Sequence, residues 1–317
     1  MILLLLILAL GLWLWPVGLG LGLALPPPAP KPPPLGEAVR FPAYALPQEV
    51  FLCGERVPLD DPEVREDLDR EFIITIWSRA QTTMWLKRAH RYFPYIERKL
   101  RGRHLPLDLK YVVLVESDLR PKARSPAGAA GPWQFIGPTA QRFQLKCNAA
   151  VDERLEMDAA TDAALAYLQK LHQQFHNWPL ALAAYNCGEG RVQKELAAQG
   201  VKDFYHLSLP EETERYVHRI IAAKIVLEDP AAYGFDIPAD QLYPPLNYDE
   251  VAFTLAQEVP VKRLADACGT YYKTMKALNP WIKGATLPPG PHRLKIPKGT
   301  ASRFYEAFRQ ARLGGAG

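Results

Sequence analysis

The stretch LDLKYVVLVESDLRPKARSPAGAAGPWQFI, residues 107–136, decides how this chain is read. In its first third, Leu109, Val112, Val113 and Glu116 recur at i, i+3, i+4 and i+7. That spacing puts side chains on one face of an α-helix. Three of the four are apolar, so the face is expected to meet a core, and Glu116 goes with it. Carboxylates seldom lie on the core side of a helix. Removal from water favours the neutral form and raises the pKa, as a general acid working near neutral pH requires. The helix alone leaves a second reading open, a buried structural Glu paired with an arginine or a backbone group. Pro121 is expected to break the helix, and Asp118 points away from Glu116 if the helix reaches that far. Farther on, Gly128 and Gly131 let backbone approach a ligand closely. Trp133 offers either a flat face that suits a sugar ring or a core filler. Ser125 and Gln134 bring polar groups able to orient an acetamido or hydroxyl group.

The flanking sequence is helical on both sides. Asp61-Pro62 reads as an N-cap followed by proline at the first helical position, with Val64, Leu68, Phe72 and Ile76 at helical spacing behind it. A second helix is expected from Trp85 to Tyr92, before Pro94. DAATDAALAYLQKLHQQF (158–175) is amphipathic and is expected to be capped by Asp158. PLALAAYN (179–186) opens on proline and stops at Gly188, bringing Tyr185 and Asn186 to a helix end. PEETERYVHRIIAAKIVLED (210–229) is closed by Pro230. No convincing strand falls between residues 60 and 230, so a mainly α domain is expected over 41–235. The texture changes after Tyr243-Pro244-Pro245. Residues 249–257 read as a strand, 261–280 as two short helices and 286–297 as ending in a strand, a small α+β module over 247–298.

The first 25 residues carry no charged side chain, which reads as a signal peptide or membrane anchor. Residues 26–40, with PPPAPKPPP at 26–34, form a proline-rich, extended linker. The expected location is therefore the periplasm or cell envelope, with membrane contact through the N-terminus. A net charge of +4 is too small to argue for nucleic acid and suits an anionic polymer or envelope surface. There is no Gly-rich phosphate loop and no nucleophile elbow. The four cysteines form no C-x-x-C pair and read mostly as small buried hydrophobes. His172 and His176 lie four apart but lack a third ligand, so a solvated pair is expected and no metal. The basic run from Arg88 to Arg103 reads as a solvated face, with contact to anionic wall polymer as the second reading.

At this point the string resembles a known family. VESDLRPKARSPAGAAGPWQFI (115–136) is similar to the signature of the soluble-type lytic transglycosylases, ALAAYNCGEGRV (181–192) to their second motif, and Glu212-Thr213 with Tyr216-Val217 to their third. Pro132 and Cys187 depart from the common residues at positions that carry no proposed chemistry. The subgroup most resembled is membrane-bound and adds C-terminal LysM modules. LADACGTYYKTMKALNP and LPPGPHRLKIP resemble a degenerate LysM-like module without its opening Gly-Asp-Thr. The resemblance implies a lysozyme-like helical fold and cleavage of peptidoglycan glycan strands at the MurNAc–GlcNAc bond, closing a 1,6-anhydro ring without water or cofactor. It implies Glu116 as the single acid/base, with Ser125, Gln134, Tyr185, Asn186, Glu212 and Tyr216 positioning the sugar. The C-terminal module is expected to assist wall binding without taking part in bond cleavage. The rival readings are a goose-type lysozyme-like hydrolase and a non-catalytic wall-binding protein.

Overall fold

A computed structural model describes residues 42–313. The signal or anchor expected at 1–25 and the linker at 26–40 lie outside the described residues. Among the described residues no helix is long and apolar enough to cross a membrane.

A two-residue hairpin opens the fold, β1 (Phe51–Leu52) with β2 (Glu55–Arg56). Helices α1 (Pro62–Trp77) and α2 (Arg79–Gly102) follow, then α3 (Lys110–Ser117), α4 (Gly137–Arg142), α5 (Met157–Phe175), α6 (Trp178–Cys187), α7 (Glu189–Gln199) and α8 (Glu211–Glu228). Asp61 caps α1, its carboxylate accepting from the backbone of Glu63 and Val64. The second helix does not stop before Pro94 but runs through it. Pro94 sits on the exposed side while Trp85, Ala89, Phe93, Ile96 and Leu100 bury the opposite stripe. Burial of that stripe outweighs the ~3 kcal/mol that an internal proline costs. The cap of α5 is Glu156 rather than Asp158: its side chain accepts from Ala159 N at 2.7 Å. Asp158 is turned to Lys295, 2.7 Å away.

Helix α3 is the centre of the domain. Leu109, Tyr111, Val112, Val113 and Leu114 are buried, and the helix packs on α2 and α8. It ends before Pro121, because Asp118 and Leu119 both take left-handed backbone, φ 54° and 56°. Conformations that L-residues seldom adopt persist where the surroundings fix them. Here the Asp118 carboxylate accepts from Trp85 Nε1 at 2.7 Å and Gln81 Nε2 at 3.1 Å, and Arg88 donates to its carbonyl. Arg88 is thus a clamp rather than part of a solvated face. Arg91 likewise holds the Pro244 carbonyl, and Lys99 and Arg103 pair with Asp162.

The C-terminal part is a β-α-α-β unit with a closing helix. Strand β3 (Tyr248–Leu255) pairs antiparallel with β6 (Gly290–Pro297), Tyr248 opposite Pro297 and Leu255 opposite Gly290. Between them lie β4 (Val259–Pro260), α9 (Val261–Ala267), α10 (Tyr272–Leu278) and β5 (Thr286–Leu287). Helix α11 (Ala301–Leu313) follows, and its Phe304 is fully buried in the same core. Ala130, Val151 and Leu155 of the helical domain share that core. The module is therefore built onto the helical domain, and a cut after Pro244 would strip apolar cover from both.

Gly131 shows how tightly the helical domain packs beneath the module. Its φ is +86°, and a Cβ there would stand 1.6 Å from the Arg154 carbonyl oxygen. The close approach is to the protein's own backbone, not to a ligand. Gly128, at φ +82°, has open space around it. Gly131→Ala is expected to cost on the order of 3–5 kcal/mol and Gly128→Ala about 1 kcal/mol. Thermal melts of the two variants check this, and equal midpoints would contradict the packing account.

Candidate active site

Glu116 occupies the last turn of α3, where the core-facing stripe reaches the mouth of a cleft of about 570 Å³. Burial pushes its carboxyl from the ordinary 4.5 up to about 7. Two groups work against burial. The Tyr216 hydroxyl donates to Glu116 Oε1 at 2.6 Å, and the Arg219 guanidinium lies near enough to favour the carboxylate. Neither restores the ordinary value. Arg219 is shared: Nη2 donates to Glu212 Oε1 at 2.9 Å, and Nε is 3.7 Å from Oε2 of the fully buried Glu71. Two carboxylates already balance its charge, and Glu212 itself raises the Glu116 pKa. The carbonyl end of α3 disfavours a negative charge in the same direction.

All seven residues singled out from the sequence line this one cleft: Glu116, Ser125, Gln134, Tyr185, Asn186, Glu212 and Tyr216. Several have structural partners as well. Ser125 Oγ accepts from Ala129 N at 3.1 Å and closes a turn. Gln134, in left-handed backbone at φ 48°, donates from Nε2 to the Gly131 carbonyl at 2.7 Å. The Tyr185 hydroxyl donates to the Trp133 carbonyl at 2.8 Å, and burial raises its pKa well above the ordinary phenol value. Asn186 Oδ1 accepts from the Thr213 hydroxyl at 2.8 Å, tying the end of α6 to the start of α8. Trp133 is not a sugar platform. It is fully buried, and its Nε1–H donates to Thr161 Oγ1 at 2.9 Å.

The cleft also holds residues that the sequence reading missed. Arg219 is one, three residues after Tyr216 and seven after Glu212, a spacing that places all three on one face of α8. Glu189 is another. It opens α7, accepts from the Tyr167 hydroxyl at 2.9 Å and pairs with Arg142 at 2.7 Å. Burial works to raise its pKa, but these partners bring it below the ordinary range. The second and third acids at the cleft, Glu189 and Glu212, are thus each matched to an arginine. The histidine pair takes a different form from the one expected: His172 stacks on Trp178, 4.1 Å between ring centres, rather than standing in solvent. All four cysteines are free thiols, and Cys268 is buried.

The raised Glu116 pKa has a consequence for stability. Its folded value, about 7, lies above the unfolded one, so the folded chain holds the proton more tightly. That stabilisation is full below the unfolded pKa, near 4.5, and is lost as pH rises through 7. At about 1.4 kcal/mol per unit, the change is at most about 3 kcal/mol. Glu116→Gln does not titrate. Its melting point, relative to that of the unsubstituted chain, is expected to rise between pH 4.5 and pH 8. A difference that stays constant with pH would mean an unshifted carboxyl.

Comparison with known proteins places the sequence in a family. Residues 93–208 match the transglycosylase SLT domain, and residues 253–312 match the lytic transglycosylase MltD LysM-like domain. The first match contains Glu116 through Asn186 and ends before Glu212 and Tyr216. Membrane-bound lytic murein transglycosylase D of Escherichia coli strain K12 is 33% identical over 232 residues, which are 71% of this chain and 50% of that protein. The soluble lytic murein transglycosylase of the same strain is 30% identical over 141 residues, 41% of this chain and 22% of that protein. The crystal structure of the 70 kDa soluble lytic transglycosylase SLT70 from Escherichia coli overlaps 57% of this chain and 32% of that one, with TM-score 0.40 and 22% identity. The chain thus spans about half the length of the D-type relative it matches. A transglycosylase SLT domain followed by an MltD-type LysM-like domain makes this chain a member of the lytic transglycosylase family.

Proposed function

We propose that the protein cleaves the β-1,4 bond between MurNAc and GlcNAc in peptidoglycan and releases a 1,6-anhydro-muramyl end. The observation that carries this is Glu116, a carboxylic acid with a pKa of about 7 in a cleft whose other acids are paired with arginines. In the first half-step Glu116 gives its proton to the glycosidic oxygen as the C1–O bond breaks. The 2-acetamido carbonyl oxygen of the muramyl sugar bonds to C1 and takes the place of a second carboxylate. In the second half-step the Glu116 carboxylate removes the proton from the 6-hydroxyl, O6 bonds to C1, and the acetamido oxygen leaves. The acid is restored and no water is consumed. Tyr216 holds Glu116 in line, its hydroxyl able to donate to the carboxylate formed midway. Ser125, Gln134, Tyr185, Asn186 and Glu212 bound the space for the sugar.

An inverting, water-adding hydrolase would need a second carboxylate to activate water on the opposite face of the ring. Glu189 and Glu212 are the acids available in the cleft, and their arginine partners tie up their charge. The LysM-like domain and the basic balance of the chain support attachment to the wall polymer. Similarity to a membrane-bound relative supports a place in the cell envelope.

The test is mass spectrometry of products from purified glycan strands, with the unsubstituted chain and Glu116→Gln side by side. The expected product is lighter than the hydrolytic one by one water. Glu116→Gln is expected to lose at least the roughly 10²–10⁴-fold that acid–base catalysis supplies, with binding retained. Turnover should fall as pH rises above about 7, where Glu116 loses its proton. A reducing-end product with water added would favour hydrolysis. A near-normal rate in Glu116→Gln would move the chemistry to another carboxylate.

A further inference from the structure

One wall of the cleft is the 123–135 loop, which Tyr185 holds at the Trp133 carbonyl and Arg154 holds from behind at two more carbonyls. Arg154 donates through Nη1 to the carbonyl oxygens of Gly128 and Phe135, at 3.0 and 3.1 Å. Its own carbonyl oxygen fills the space beside Gly131. The guanidinium is fixed in turn by Asp152, Nε to Oδ1 at 2.9 Å and Nη2 to Oδ2 at 3.0 Å. Such a two-point planar pair sets orientation as well as position. Asp152 is 3% exposed, and its backbone N–H donates to the Trp281 carbonyl at 2.8 Å. Trp281 belongs to the LysM-like module. Beside it Val151 bridges to Ile282, and Lys283 N donates to the Ala150 carbonyl at 2.9 Å. A continuous path of hydrogen bonds thus runs from the module through Asp152 and Arg154 to the loop that carries Ser125 and Gln134.

We propose that Arg154 is a positioning residue for glycan cleavage, and that the LysM-like module holds it in place through the 147–156 segment. The module then sets the shape of the cleft, in addition to any contact it makes with the wall. The cleavage half of this rests on the function proposed above, whereas the mechanical half does not.

The experiment uses the full chain and Arg154→Lys, which keeps the charge but cannot bridge two carbonyls and a carboxylate at once. Amide hydrogen exchange by mass spectrometry reads the loop, and kcat and KM on soluble glycan strands read the chemistry. With melting close to that of the unsubstituted chain, exchange over 123–135 is expected to quicken about tenfold or more. The value of kcat is expected to fall about ten- to a hundredfold, with KM changed far less. A folded Arg154→Lys with unchanged exchange in the loop overturns the proposal. So does faster exchange with normal kcat. If Arg154→Lys fails to fold, Ile282→Ala carries the test: exchange should rise together over 147–156 and 123–135, and a rise confined to the module overturns the strut. If the unsubstituted chain releases no product, the functional reading fails, and exchange still decides whether the module holds the loop.

Discussion

A carboxylic acid on the core-facing stripe of a buried helix is the constraint on which the rest of the site depends. Glu116 is half-buried at the cleft, where the loss of water favours the neutral acid unless charged partners offset it. The fold supplies the loss of water with a little of the offset. Val112 and Val113 keep its helix against the core, and Tyr216 gives one hydrogen bond. Arg219 stands near but answers to Glu71 and Glu212. The balance leaves the carboxyl near 7, where one group can give a proton and take it back. A stronger positive neighbour would fix it as a carboxylate, and a drier pocket would keep it protonated throughout.

The opposite wall of the cleft is organised by backbone and not by side chains facing the ligand. The 123–135 loop has positive-φ backbone at Gly128 and Gly131, which glycine adopts freely, and at Gln134, where that conformation needs outside support. Tyr185, Arg154 and the packing of Ala130 into the module's core give that support. Residues that look ligand-facing in the sequence therefore serve two purposes. Ser125 closes a turn and lines the cleft, and Gln134 ties back to Gly131 while doing the same.

What was legible in the sequence follows local periodicity. The i, i+3, i+4, i+7 stripe found both α3 and the exceptional Glu on it, and the caps at Asp61 and Gly188 are set within a few residues of chain. Those signals need no knowledge of distant partners. The errors all depend on such partners. Asp158 looked like the cap of α5, but Lys295 draws it away and Glu156 serves instead. Pro94 looked like a stop, but the buried stripe of α2 carries the helix past it. Trp133 remained ambiguous until Thr161 appeared beneath its indole N–H. Arg219 was within reach of helical spacing from Tyr216, whereas the Gly131–Arg154 approach leaves no trace in the sequence beyond a glycine.

The central claim is that the fold raises the Glu116 pKa to near neutrality, and a direct titration tests it. Carboxyl ¹³C NMR on the full chain, with Glu116 assigned by its loss in Glu116→Gln, reads the midpoint without substrate. The expected midpoint is near pH 7. A midpoint near 4.5, the ordinary glutamate value, would show that Arg219 and Tyr216 outweigh burial and that Glu116 is not poised to act as an acid.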